Sequence, residues 1–235
     1  MDLSETSDLQ PSEHWYFLHK LEWLIHSINK YNLNPSTSID IGAGIGFFSK
    51  ELKGIYPSLV PNCVDTNYLD SDLGETGGVF FSTEYKVESS ADMVLMMDVL
   101  EHVESDEQLI RAYLSSATKD ATWLITVPAF QSLWSGHDVA LGHFRRYRKK
   151  QLLTILENLN FEVMDIRYLF TPIFIPLWIL RKTKQNQKIH NDLQKQSKLI
   201  NFFALKIMRI DLTVINQYFP GSTLAVVAKL RNRHE

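Results

Sequence analysis

Three alternate glycines interrupt a short apolar run at Ser38-Ile-Asp-Ile-Gly-Ala-Gly-Ile-Gly46, and few folds place such a break where this one lies. Residues 36–41 read as a strand. Beyond the glycines, Phe47, Phe48, Leu52 and Ile55 recur at helical spacing, so the turn leads from a strand straight into a helix N-terminus. Alternate glycines reach backbone dihedrals closed to other residues and let a ligand touch the main chain. The helix start adds N–H groups that have no partner within the helix. A polar ligand is expected there.

Spacing narrows the ligand. A dinucleotide fingerprint reads G-x-G-x-x-G around a pyrophosphate. Here the pattern is D-x-G-x-G-x-G, with Asp40 two residues ahead of Gly42. A carboxylate at that position repels a pyrophosphate but accepts hydrogen bonds from a cationic amine. Asp65 ends the next apolar run, 59–64, where an acidic side chain suits the two hydroxyls of a ribose. A nucleoside bearing an amino-acid tail satisfies both, which is S-adenosylmethionine (SAM). The plainer reading of Asp65 is a helix cap.

A third element follows at Asp92-Met-Val-Leu-Met-Met-Asp-Val-Leu-Glu-His-Val103. In this order the three elements resemble the class I SAM-dependent methyltransferases, over roughly residues 36–170. The resemblance implies an α/β fold: a Rossmann-like, doubly wound sheet of seven strands, mostly parallel with an antiparallel last strand near the edge, and helices on both faces. It implies cofactor contacts from Asp40, Gly42, Ala43, Gly44, Gly46, Asp65 and Thr66, and from Met97, Asp98, Val99 and His102 after the fourth strand. Ser82, Thr83 and Glu84 fall where the family touches adenine. Some quinone O-methyltransferases carry a similar E-x-x-E-H and hold a divalent metal. Asp98 replaces the first acid here, and Asp98, Glu101 and His102 are read as cofactor-facing, with no metal.

The 235 residues suffice for one such domain, and a net charge of −3 advertises no nucleic-acid partner. The single cysteine, Cys63, excludes an internal disulfide. With no signal-peptide pattern, a reducing cytoplasm is expected. No apolar run reaches the roughly 18 to 20 residues of a spanning helix. The chain, 1–235, divides into a helical lid (12–32), a cofactor-binding core (36–170), a helical insertion (171–218) and a final strand (222–230). Helices are expected near 13–31, 46–56, 67–74, 106–117 and 152–159, and strands near 60–65, 79–82, 93–97, 122–127 and from 161.

Chemistry concentrates after the fifth strand, in Pro128-Ala-Phe-Gln-Ser-Leu-Trp-Ser-Gly-His137-Asp138 and Gly142-His143-Phe-Arg-Arg146-Tyr147. Loops at strand ends are where binding residues gather. Together with His14-Trp15-Tyr16-Phe17, this segment resembles a subset of methyltransferases encoded near glycan-assembly genes, with Lys20 standing where that subset has arginine. His137 and His143 are the candidate general bases, with Asp138 placed to fix the tautomer of His137. Arg146 and Tyr147 are candidates to dock an acceptor, as are His14, Trp15, Trp134 and Asp138. Equally, the loop residues pin the loop by hydrogen bonds, and the aromatic cluster staples its helix to the core.

The expected reaction is methyl transfer from SAM to oxygen or nitrogen of a small-molecule or glycan-related acceptor, by in-line displacement. A nucleic-acid methyltransferase would want an N-P-P-Y-like motif where residues 98–101 read Asp-Val-Leu-Glu. A nicotinamide oxidoreductase is disfavoured by the glycine spacing. A binding protein that keeps the cofactor site without transfer stays open. The stretch 170–184, with Pro172 and Pro176 set against a simple helix, reads as a cap, a dimer face or a peripheral membrane contact.

Overall fold

The computed structural model describes residues 10–85, 90–183, 198–210 and 219–231; expectations that fall on 184–197 and 211–218 lie outside them. Helix α1, Trp15–Lys30, begins where the His14 ring accepts from the Tyr16 N–H, and it buries Phe17, Leu21, Leu24 and Ile28. These positions recur every three or four residues, so one stripe faces the core. Strand β1 (Thr37–Ile41) runs into α2 (Phe47–Ile55) through the glycine turn, and β2 (Val60–Val64) returns parallel to β1.

The expected helix over 67–74 does not form. A single turn at Asp70–Asp72 leads instead to a short strand β3 (Gly74–Thr76), which pairs antiparallel with β4 (Val79–Ser82). Gly77 (φ +62) and Gly78 (φ +78) join them. Two successive positive-φ residues make the hairpin turn whose twist matches flanking strands, and that chemistry favours a hairpin here over a helix. The sheet therefore has eight strands, one more than expected.

Strand β5 (Ala91–Met97), helix α3 (Asp106–Ala112) and strand β6 (Ala117–Pro128) follow. A short helix α4 (Gly136–Ala140) precedes α5 (Lys149–Asn158) and strand β7 (Phe161–Leu169). The sheet order is β3-β4-β2-β1-β5-β6-β8-β7. Strand β8 (Thr223–Leu230) runs antiparallel between β6 and β7, one place inside the edge. Thr223 to Ala228 are all buried, as a strand covered on both faces must be.

Helix α6 (Thr171–Thr183) is continuous despite its prolines, contrary to the sequence reading. Pro172 falls in the first turn, where no N–H is needed, and Pro176 forfeits a single internal bond. Helix α7 (Lys198–Ile210) completes the described insertion. Two apolar layers flank the sheet. One gathers Ile39, Val94, Trp123, Ile125 and Phe161 with α5; the other gathers Leu95, Leu124 and Val227 with α1 and α2. At roughly 1.5 to 3 kcal/mol per fully buried large side chain, these layers fix the strand ends on which the site is built. The order reverses at β1, between β2 and β5, and an open sheet binds its ligand at that reversal.

Candidate active site

A cavity of about 300 Å3 opens at the carboxyl ends of β1, β2 and β5. Gly42, Asp65, Thr66, Asp98, Val99 and His102 line it, with Asn67, Leu109 and Tyr113 beyond them. Gly42 (φ +63) has no space for a side chain, because a Cβ would lie 2.8 Å from Val99 Cγ2. Gly46 (φ +71) is held likewise, its Cβ falling 2.7 Å from the Phe81 ring. Both glycines are thus demanded by conformation and by contact. Asp65 accepts from the Gly44 N–H at 3.0 Å through Oδ2 and from the Asn67 N–H at 2.9 Å through Oδ1. It ties the glycine turn to the end of β2 while still lining the cavity.

Asp40 sits elsewhere than expected. It is buried behind the turn, accepts from Ser49 Oγ at 2.9 Å, and does not line the cavity. Burial pushes its carboxyl up to about 6, against the opposing Ser49 bond. Ala43, Gly44, Gly46 and Met97 likewise lie outside the lining, as do Ser82, Thr83 and Glu84.

Asp98 is the most constrained lining residue. It follows β5 at φ +57, a region a non-glycine residue enters only when its surroundings enforce it. The Lys20 ammonium, buried on α1, pairs with its carboxylate. Tyr16 Oη donates to the same oxygen at 3.2 Å, and Thr126 Oγ1 donates to the other at 2.9 Å. Lys20 also donates to Tyr16 Oη at 2.6 Å. Burial alone would raise the Asp98 pKa, but Lys20 and the Thr126 bond hold it below the usual carboxylate range. Helix α1 thus reaches the cavity-lining Asp98 through Tyr16 and Lys20.

A second network lies beside the cavity. Asp138 is fully buried and closes a capping box with Ser135 at the start of α4. Its Oδ1 takes His143 Nδ1 at 3.0 Å and Arg146 Nε at 2.7 Å, and its Oδ2 accepts from the second Arg146 nitrogen at 3.1 Å. Burial would raise the Asp138 carboxyl, yet the His143 bond and the Arg146 guanidinium hold it far below its ordinary value. Asp138 therefore orients His143, not His137, because the α4 turn brings residue 143 back onto it. The His143 ring meets the His102 ring edge-on, with centroids 4.6 Å apart. His102 lines the cavity, so the two networks join there.

Glu101 lies behind these histidines, its Oε2 buried without a hydrogen bond. Burial, and then the charge of Asp98, raise its carboxyl well above the ordinary range. Among the described residues, Glu101, His102 and His143 each bring one ligand atom within 4.8 Å of the others.

Several expected acceptor contacts have other employment. Tyr147 is fully buried, and its hydroxyl donates to Leu100 O at 3.1 Å and Asp106 Oδ2 at 3.0 Å. It is a pillar under the loop and cannot dock an acceptor. Arg146 spends its fork on Asp138. His14 caps α1, and Trp15 packs on Phe170 and lines an apolar groove away from the cavity. His137 and Trp134 lie half-buried around α4. Thr126 and Tyr113 carry no mark in the sequence, whereas Lys20 does: it stands where the resembling subset has arginine, and its i, i+4 spacing sets it beside Tyr16 of the aromatic cluster.

The comparisons with known proteins agree with this architecture. A family model described as a methyltransferase domain matches residues 13–166. No curated protein matches the sequence significantly. Among solved structures, coclaurine N-methyltransferase bound to N-methylheliamine and S-adenosylhomocysteine (SAH) is similar with a TM-score of 0.55 at 15% identity, over 89% of this chain and 70% of that one. The plantazolicin methyltransferase BpumL in complex with SAH gives 0.56 at 12% identity, over 92% and 84%. A SAM-dependent methyltransferase from Archaeoglobus fulgidus gives 0.52 at 18% identity, over 91% and 99%. With the family model covering most of the chain, this protein belongs to the methyltransferase-domain family and is a class I SAM-dependent methyltransferase.

Proposed function

We propose that the chain, acting as one methyltransferase domain over 1–235, methylates an oxygen or nitrogen of a small-molecule or glycan-related acceptor, with His143 as the general base. The observation that carries this reading is the Arg146–Asp138–His143 relay abutting His102 at the cavity wall. When bound, SAM supplies a methyl group on positively charged sulfur, and its departure as neutral SAH takes the bonding electrons to that sulfur. The lining suits it: the Asp65 carboxylate would accept from the ribose hydroxyls, and the Asp98 carboxylate would supply negative charge to a cationic ligand. An acceptor held in line with that carbon–sulfur bond would form the new bond to carbon as the old one breaks, and positioning alone would supply several kcal/mol.

The acceptor's proton then needs a base. With Asp138 holding Nδ1–H, His143 presents an unprotonated Nε2 to take it, and the ionised Asp138 steadies the imidazolium that forms. His137, half-buried in the first turn of α4, is the second candidate. Glu101, His102 and His143 act as hydrogen-bonding groups in this scheme, without a metal.

A screen of hydroxyl and amine acceptors with labelled SAM identifies the substrate. On that substrate His143→Gln should lower turnover by about 10² to 10⁴, the usual contribution of a positioned base, while SAH affinity is unchanged. Full turnover in His143→Gln together with loss in His137→Gln would transfer the role to His137.

A further inference from the structure

The charge of this chain is segregated. Residues 171–210 hold eight lysines and arginines against one aspartate, a local charge of +7 in a chain whose net charge is −3. Neither α6 nor α7 contains an acidic residue. The same two helices leave their large apolar side chains in solvent. Leu199 is 71% exposed, Phe203 60% and Ile207 49%, at i, i+4 and i+8 along one stripe of α7; Ile175 is 65% exposed on α6. A groove of about 410 Å3 between the helices is lined almost wholly by apolar atoms, from Ile173 and Trp15 to Phe203 and Ile207.

Helix α7 is nevertheless anchored. Met208 is buried in the layer beneath α1, Arg209 pairs with Glu22 at 2.7 Å, and Asn201 Oδ1 accepts from the Trp15 N–H at 3.3 Å. One stripe of α7 therefore serves the core and the opposite stripe has no core to serve. Lysines edge the exposed apolar surface: Lys206 lies 4.5 Å from the centre of the Phe202 ring, and Lys182 lies 4.1 Å from that of Trp178. Aromatic and aliphatic groups flanked by lysine ammoniums are what the headgroup–acyl boundary of a membrane accommodates. No helix among the described residues is long and apolar enough to cross a membrane, so such a face would lie on one.

We propose that α6 and α7 form a peripheral docking surface for an anionic lipid membrane, with the apolar stripe of α7 entering the acyl boundary and the lysines meeting acidic headgroups. The positive excess selects this occupant over a second copy of the chain, which would bring the five basic residues of α6 and α7 against the same five across a two-fold interface. Helix α6 also carries Arg181, whose guanidinium lies in the field of Arg146 and Asp138, so the docked face adjoins the acceptor-side loop. The proposal does not depend on the assignment of the base or of the acceptor.

Co-sedimentation of the full chain with phosphatidylcholine vesicles, with and without phosphatidylglycerol, tests it, with SAH affinity measured in parallel on every variant. Binding should appear with the acidic lipid, and raising salt until the screening length falls to a few ångströms should weaken it at least about tenfold. Phe203→Glu/Ile207→Glu should abolish it, and the surface exchange Lys182→Glu/Lys206→Glu should reduce it at least about thirtyfold, at about 1 kcal/mol for each of the two lysines lost. Unchanged SAH affinity in these variants separates this result from any failure of the cofactor site. Absence of binding to acidic vesicles, or binding that the lysine exchange does not weaken, would overturn the proposal. So would a homodimer that Phe203→Glu dissociates in the absence of any vesicle binding.

Discussion

The two sides of the active site are built from different materials. The cofactor side is largely backbone: a glycine turn whose geometry two side chains would destroy, pinned by one carboxylate that accepts two main-chain N–H groups. The side proposed to receive the acceptor is side chain throughout: an aspartate, a histidine and an arginine on a loop, touching a histidine that follows β5. Backbone sites tolerate change in everything except the residues that permit the turn. Side-chain sites depend on each partner's identity, so one loop can be rewritten for a new acceptor while the cofactor stays fixed.

Lys20 crosses this division, since it comes from the helix that covers the core yet neutralises a carboxylate on the cofactor wall. Removing it strands the charge of Asp98. Lys20→Met should therefore destabilise the fold by about 2 to 3 kcal/mol, less than for a wholly dry pair because Asp98 reaches the cavity, and thermal unfolding should fall by roughly 4 to 12 °C. Adding Asp98→Asn in the same chain should recover much of that loss. Additive losses would mean that the pair is not coupled and that α1 is joined to the cavity by packing alone.

Asp40 gives a smaller effect of opposite sign. Its carboxyl ordinarily titrates near 3.8 and is raised to about 6 by burial. Between these values the folded chain holds a proton that the unfolded chain has lost, so stability declines as pH rises through that window and stays lowered above it. Asp40→Asn should raise the unfolding temperature by a few degrees above pH 6, for a gain of about 1 to 2 kcal/mol, and by nothing below about pH 4. A gain at both pH values would show that packing, not charge burial, sets the effect. Smallest of all is the response expected to a chelator: none, in either turnover or SAH affinity. Activity lost to chelation and restored by a divalent cation would instead make Glu101, His102 and His143 metal ligands.

The sequence carries the glycine-turn wall of the cavity further than the loop beside it, for a physical reason. Gly42, Gly46 and Asp65 do their work within a few residues of where a strand ends, so spacing along the chain reports their geometry. The pairing of Lys20 with Asp98 spans 78 residues and leaves no trace in periodicity. Adjacency in sequence pairs Asp138 with His137, although Ser135-x-x-Asp138 is a capping pattern that turns its carboxylate back along the helix start. Tyr147 looked like a loop residue because nothing local shows that its hydroxyl descends to Leu100 and Asp106. The Gly77-Gly78 pair did announce a turn, but a three-residue partner strand is too short for a pattern to declare. Likewise Pro176 argued against a helix that tertiary packing nevertheless completes.

The most direct measurement is calorimetric titration of the chain with SAH, with NADH as the contrasting ligand, for wild type, Asp65→Ala and His143→Gln. Wild type should bind SAH and ignore NADH. Asp65→Ala should weaken SAH at least about tenfold, as the loss of a charge-assisted hydrogen bond requires, while His143→Gln should bind as wild type does. Preference for NADH, or equal weakening in both variants, would contradict a cofactor side that stands apart from the acceptor side.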